Sequence, residues 1–576
     1  MNEHRSGLKL GNAGSAVHER FTKRMGRLVS CIAFTLAACS GGGQWAKTQT
    51  MPDFTRNTDQ HQSSFQKIAA AEIYVDSTRG SDFYPGTREQ PVKTMEKAFR
   101  LARANNSRNI PTRILINPGI YREAKVWVTS GQETDSPITI MASISGTVTI
   151  SGSDVWADWQ PDRQNPNLLI HQWPYQWGLC PLPRGWPSVQ DIVRRREMIF
   201  VNGELLRQVL SLSEMREGSF FVDELNARVY IRVPPGTDVQ TATIEVAVRP
   251  ELLRFQGKSN LALRGLKFVH ANSCFSKAAV AILGGSNNRV EDSEFTWNNW
   301  TGFSAGASLT FAVRRVIANY NGGPGLEGYV LNDTVFENVE VSHNNWRGAQ
   351  GNFYGWAVAG AKLMRIHGGS FTRITAIRNH TRGIWFDFDN RDIVVDHLFT
   401  AQNERDGIFL EASQGPITIL NSRICGNGTF GVLTSNSSWV KLKANIIYGN
   451  TRSQIFVGGE REGRRVDDRE THAQYTLLAE KWIVNQNVII GMSSTAALIG
   501  THQTKRNWNV FLTSLTSDQN TWYSPNGQSA FQMHAENSGD SPMLVEFASW
   551  RRATGQDGAS VFGRPAIDPA TACARP

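Results

Sequence analysis

Two carboxylates, Asp387 and Glu411, hold the same place in near-copies of one phrase, GIWFDFD from Gly383 and GIFLEAS from Gly407, 24 residues apart. Paired acids of this kind do general acid, base and nucleophilic work, so their separation decides what chemistry they can share. Strand alternation turns Ile384, Phe386 and Phe388 inward and leaves Trp385, Asp387 and Asp389 on the outer face. In the second copy Ile408, Leu410 and Ala412 point in, and Phe409, Glu411 and Ser413 point out. The constant offset stacks Trp385 on Phe409, Asp387 on Glu411 and Asp389 on Ser413. Adjacent strands lie about 4.8 Å apart. A retaining glycosidase holds its two carboxyls about 5 to 5.5 Å apart, whereas an inverting one leaves roughly 6.5 to 9.5 Å for a water. Two like charges this close raise one pKa and supply a protonated acid beside an ionised partner. The competing readings are a solvated charged face and a calcium site drawn from Asp387, Asp389, Asp392 and Glu411.

The element that spaces these acids is a repeat. Asn298, Asn321, Asn344, Asn379, Asn403, Asn427 and Asn450 each precede an apolar strand or its leading Gly by four residues, at intervals of 23, 23, 35, 24, 24 and 23. Short β-branched runs at this period, with no sustained 3.6-residue pattern, predict a parallel β-helix whose asparagines form an internal structural ladder. The long interval is a normal unit plus about a dozen residues and contains RGAQGNFYGWAVAGAK, a Gly-rich aromatic insertion placed as a loop over a functional face. Lys362 falls in the Trp385 column as a candidate ligand for a hydroxyl or carboxylate, and Glu327 falls in the same column further upstream. Trp356, Trp385 and Phe409 are candidate sugar-stacking aromatics. His367, His380 and His397 read as turn or surface residues, without metal-triad spacing.

The fold class expected is all-β, a right-handed parallel β-helix with an N-terminal capping helix and a small inserted antiparallel β subdomain. Residues 73–154 hold the cap, with an amphipathic helix from Thr94 to Arg103, and the first coils. Residues 155–250, where the period fails, read as antiparallel hairpins; 251–459 form the catalytic β-helix. In 460–576 the charged run EREGRRVDDRE reads as a solvated loop, and WIVNQNVIIG and NWNVFLTSL as later strands.

The N-terminus lies outside that core. Lys23, Arg24 and Arg27 precede an apolar run from Leu28 to Ala38, too short to span a bilayer, that ends in LAAC at Cys39. This resembles a bacterial lipobox. It predicts a signal peptide over 1–39, lipidation of Cys39, a linker over 40–72, and an exported, membrane-anchored protein; Met25 is an alternative start. The first 38 residues carry +4 of the net charge of +9, leaving about +5 on the remainder. With no basic block or nucleic-acid motif, that excess gives no ground for DNA or RNA binding. Cys180, Cys274, Cys425 and Cys573 lack metal-ligand spacing and are disulfide or buried thiol candidates whose pairing sequence does not give.

The opening of 73–154 resembles the cap of extracellular β-helix carbohydrate-active proteins, and FASWRRATGQDGASVF resembles their terminal segment. GIWFDFDN, followed by GIFLEASQGPITILNSRI and preceded by AGAKL, is similar to the catalytic region of the parallel-β-helix β-xylosidases of glycoside hydrolase family 120. The resemblance implies Asp387 as nucleophile and Glu411 as acid/base, with Trp385 and Lys362 in the pocket. It departs from the family at Trp356-Ala357, where a His-Glu pair is expected, which leaves Glu411 as the matched acid/base and the sugar open. The function expected is an exported retaining glycoside hydrolase acting on a poly- or oligosaccharide without an organic cofactor. A calcium-assisted polysaccharide lyase or uronate epimerase, or a non-catalytic carbohydrate-binding surface protein, is the alternative.

Overall fold

The strand Arg382–Asp387 pairs in parallel with Ala359–Met364 on one side and with Ile408–Glu411 on the other, so residues one repeat apart sit side by side. Each coil continues through two further short strands, as in Arg391–Asp396 and Phe399–Ala401, and corners turn on left-handed residues such as Arg378, Phe388, Asp389 and His397. The result is a parallel β-helix in which 33 strands join one continuous sheet among the described residues. The computed structural model describes residues 70–574 apart from 132, 493–495, 526, 528, 535–540, 567, 569–570 and 572. The leader, the lipobox at Cys39 and the linker to residue 69 therefore lie outside the described residues. Among the described residues, Ala71–Pro181 and the chain from Val189 onward form one compact unit, which holds the β-helix, and Leu182–Ser188 falls outside it. That loop is closed by the Trp186 N–H donating to Pro183 O at 3.1 Å.

Inward-facing side chains stack coil on coil. Ile384, Ile408, Val432, Ile455 and Ile499 form one buried column, each registered against the next. Beside it runs the amide ladder. Asn298 Nδ2 donates to Asn321 Oδ1 at 3.0 Å, and the same bond repeats through Asn344, Asn379, Asn403, Asn427 and Asn450 at 2.8 to 3.1 Å. The ladder ends on Gln454 Oε1, which accepts from Asn450 Nδ2 at 2.9 Å. A second ladder runs through Ser422, Asn445, Asn487 and Asn520. These bonds satisfy amide groups that have no access to water.

The leading glycines answer to the same ladder. A Cβ on Gly383 would lie 2.6 Å from Gly407 O and 3.0 Å from Asn403 Nδ2, and one on Gly407 would lie 2.7 Å from Asn427 Nδ2. They are glycine because a neighbouring coil passes too close for any side chain.

The helix Met95–Asn106, capped by Thr94 accepting from the Lys97 N–H, packs Met95, Ala98, Phe99 and Ala102 into the N-terminal end of the core. Between Ser153 and Ala247 two separate sheets of four and five strands leave the coil, antiparallel throughout except where Arg207–Val209 pairs in parallel with Ser219–Phe221. Their own core includes Trp173, Phe220 and Ile231. Disulfides join Cys180 to Cys274 and Cys425 to Cys573.

Two expectations about the C-terminal part are corrected. The NWNVFLTSL segment is helical, Lys505–Ser514, because Thr504 caps it and Asn507, Trp508, Phe511 and Leu512 bury one helical face. The charged run after Gly459 is not a solvated loop. Arg464–Asp467 and Gln474–Leu477 form an antiparallel hairpin whose Val466 and Leu477 pack on Ala412 and Phe388.

The ladder makes a direct stability prediction. Asn403→Ala should cost about 1–3 kcal/mol for each amide group it orphans, whereas Lys441→Ala on the outer face of the strand Val440–Lys443 should stay within about 0.5 kcal/mol of wild type. Chemical denaturation of both variants checks this, and equal midpoints would refute a structural ladder.

Candidate active site

Two and four residues beyond the leading glycines, the outward faces of successive coils line up in two rows. Glu327, Lys362, Trp385, Phe409 and Leu433 share one row, and Tyr329, Met364, Asp387, Glu411 and Ser435 share the next. Asp387 and Glu411 are direct partners across adjacent strands.

Charge is concentrated around this pair. Lys362 Nζ stands 3.0 Å from Asp387 Oδ2 and 3.9 Å from the centre of the Trp385 ring. Arg464, carried by the hairpin, reaches within 3.9 Å of Glu411 Oε1 and also pairs with Glu460. Burial pushes the Glu411 carboxyl up to about 7 and the neighbouring Asp387 charge pushes the same way, against the pull of Arg464, Lys362 and Arg382. Burial also raises Glu327, against the pull of Lys362. Glu327 and Lys362 are thus adjacent, one row over from the acids.

Trp385 and Phe409 form the floor. Their rings lie 5.4 Å apart at 5% and 8% exposure, so they are packed rather than open sugar-stacking surfaces. The Arg382 guanidinium covers both, at 4.5 and 4.7 Å from the ring centres, and is held by the buried Asp406 at 3.2 Å. Sequence reading missed Arg382, although Arg382 and Asp406 are offset by the same 24 residues that pair the acids. It also missed Arg464, which lies in a segment outside the repeat.

The assignments of Phe388, Asp389, Ser413 and His367 change. Phe388 and Asp389 take left-handed φ values of 51° and 55°, so alternation stops at Asp387. Phe388 then packs against the hairpin instead of entering the core. Asp389 is buried, accepting from the Arg469 N–H and the Tyr475 hydroxyl at 3.3 Å each, and lies 3.4 Å from His367. Ser413 is also buried. It accepts from Asn390 Nδ2 at 3.0 Å and its N–H donates to Ser437, forming an internal polar stack rather than a pocket contact. His367 is no surface residue but lies buried against Asp389, Glu470, Arg391 and Arg469.

The proposed calcium ligands are consequently dispersed. Asp389 is turned beneath the hairpin, Asp392 is exposed on the following strand, and among the described residues no group of three or more His, Cys, Asp or Glu is arranged to hold a metal ion.

The insertion occupies the turn between Asn344 and Gly360. Arg347, fully buried within it, donates to Asn299 Oδ1, Gln208 Oε1 and Glu197 O at 2.7 to 3.0 Å, tying the loop to the inserted sheets. Its far end meets the site where Arg382 Nη1 donates to Gly355 O at 2.9 Å. Trp356 is partly exposed in this loop, one residue beyond Gly355.

A family model described as right handed beta helix region matches residues 278–468. Among solved structures, a complex of XylC with xylose is similar at TM-score 0.56 and 15% identity, covering 86% of each chain. A structure named glycoside hydrolase gives 0.43 at 13% identity over 84% of this chain and 100% of its own. The A-module of the mannuronan C-5 epimerase AlgE4 of Azotobacter vinelandii gives 0.46 at 14% over 81% and 100%. No curated protein sequence matches the chain. The family match and the XylC similarity agree with the coil geometry, and the chain is a right-handed parallel β-helix protein.

Glu411 supplies a prediction independent of activity. Its folded-state value of about 7 lies above the ordinary 4.5, so the folded chain holds a proton that the unfolded chain releases in between. The stability this group contributes is therefore full below about pH 4.5, falls as pH rises to about 7, and then levels off. Glu411→Gln removes that dependence, so the variant should gain on wild type between pH 5 and pH 8 in thermal unfolding. An unchanged difference at the two pH values would contradict the assignment.

Proposed function

We propose that this chain is a retaining glycoside hydrolase acting on a poly- or oligosaccharide, with Asp387 as nucleophile and Glu411 as acid/base. The observation that carries the reading is the in-register pairing of Asp387 with Glu411 on adjacent strands. A strand spacing of about 4.8 Å suits double displacement and is too small for the intervening water of an inverting enzyme. Similarity to the XylC complex with xylose supports a carbohydrate substrate.

In the first step Asp387 attacks the anomeric carbon as Glu411 gives its proton to the departing oxygen, forming a glycosyl ester on Asp387. Glu411, now ionised, takes a proton from water as that water attacks the same carbon and frees Asp387. A carboxyl titrating at about 7 suits an alternating donor and acceptor. Lys362, at 3.0 Å from Asp387, balances the Asp387 charge while Glu411 is protonated and ready to donate. Export follows the same reading: two disulfides fit an oxidising compartment, and Cys39 would carry the lipid anchor.

A fluorinated aryl glycoside that forms its ester quickly and loses it slowly should label Asp387, located by peptide mass spectrometry. A label on another residue, with turnover intact, would sink the assignment. Glu411→Gln should lower kcat/KM by about 10²–10⁴ on glycosides with poor leaving groups. The alkaline limb of the wild-type kcat/KM profile should fall near pH 7 and be missing from that variant. Cys39→Ala should move the protein from the membrane fraction to the soluble one, which fractionation and immunoblotting will read.

A further inference from the structure

We propose that the cleft takes an acidic saccharide, and that Arg365, beside Arg469 and Tyr329, receives the carboxylate of the sugar next to the one bound at the acid pair. This deepens the glycosidase reading and rests on it.

Arg365 is the corner residue after Met364, with φ 56° and its N–H donating to Phe388 O at 2.9 Å. Its guanidinium lies 5.3 Å from the Phe388 ring centre, directly beyond Asp387 in sequence. Other cations on this face have carboxylates: Lys362 has Asp387, Arg382 has Asp406, Arg391 has Asp468 and Arg464 has Glu460. Arg365 has no ion-pair partner among the described residues, and its buried Nε has no acceptor in the protein.

A second guanidinium stands close to it. Arg469, at the turn of the hairpin, bonds to Asn332 Oδ1 and Leu331 O, on the strand that carries Tyr329. Burial raises the Tyr329 hydroxyl, and Arg365 and Arg469 both pull it down, so all three groups share one neighbourhood. Burial likewise lowers Arg469, and Arg365 adds to that depression by like-charge repulsion. Two neighbouring guanidiniums, one without a counter-charge, carry a standing repulsion that an anion removes. The planar fork of arginine matches a carboxylate through two parallel hydrogen bonds.

The geometry selects the position. Tyr329, Met364 and Asp387 are aligned on three successive strands. Tyr329 is therefore about 10 Å from Asp387 along the helix axis, two strand spacings away. Arg365, which follows Met364, stands one strand spacing, about 5 Å, from the Asp387 strand. A carboxylate held between Arg365 and Tyr329 therefore lies beyond a sugar ring at the acid pair and suits its neighbour in the chain.

The test uses the full exported chain and uronic-acid oligosaccharides (galacturonate, glucuronate and mannuronate series), each beside its carboxyl-reduced counterpart. Binding is measured by calorimetry on the Glu411→Gln protein, which suppresses turnover. At least one acidic member should bind about 10- to 100-fold more tightly than its reduced form. Adding Arg365→Gln should abolish that preference without weakening the reduced ligand. Arg365→Lys, which keeps the charge over Phe388, should retain part of it, and serves if the glutamine variant does not fold. Equal binding of every acidic and reduced pair, or a preference that survives loss of the guanidinium, would overturn the proposal. Hydrolysis is scored separately on wild type. Selective binding without cleavage defeats the hydrolase reading and leaves this one standing, whereas cleavage of neutral glycosides with no acidic preference in binding defeats this one alone.

Discussion

Each ladder asparagine donates both to the amide one coil away and to a backbone carbonyl, and this coil-to-coil hydrogen bond is the constraint on which the rest of the structure depends. It fixes register at one turn of every coil, since a slip of one residue would leave buried amide groups without partners. It also forbids a side chain at the fourth residue on, where Gly383 and Gly407 pass within contact of the next coil. Asp387 and Glu411 follow those glycines by equal distances along paired strands. Their spacing is thus inherited from the buried amide ladder, a part of the coil away from the pair, and the alignment of the two acids needs no loop to hold it.

The placement of two acids side by side has an electrostatic cost that the surrounding cations moderate. Lys362 faces Asp387, Arg464 faces Glu411, and Arg382 sits beneath both on the aromatic floor. These groups come from three different sources: a coil strand, the late hairpin and a buried ion pair. The balance leaves Glu411 near 7 instead of far above it, and removal of any one cation would shift it upward.

The parts of this arrangement legible in sequence are those that repeat. The 23- and 24-residue intervals gave the coil, the ladder and the pairing of Asp387 with Glu411, because each depends only on residues at a fixed offset. Arg382 and Asp406 carried the same signal. Asp389 was misplaced because a strand was assumed to continue through a corner where Phe388 and Asp389, neither of them glycine, adopt left-handed backbone. Ser413 was drawn into an internal stack by Asn390, a contact that a two-strand comparison does not contain. The hairpin and Arg464 were illegible for a different reason: they reach the site by folding back across coils, and the period ends before them. The Lys505–Ser514 helix was lost to an apolar run whose spacing fits either structure until Thr504 is recognised as its cap.

The aromatic insertion and the 464–477 hairpin share one property, that both leave the coil at turns and return to it with the ladder or the core column unbroken. Closing a longer loop costs little, about 0.6 kcal/mol for each doubling of its length. Lengthening either segment at an exposed turn therefore leaves the stack beneath nearly undisturbed, provided the contacts of Arg347 and of Val466 and Leu477 are kept. In this architecture register is written in the stack and the surroundings of the acid pair in segments that leave it, so those segments can be altered without shifting the strands that space the two acids.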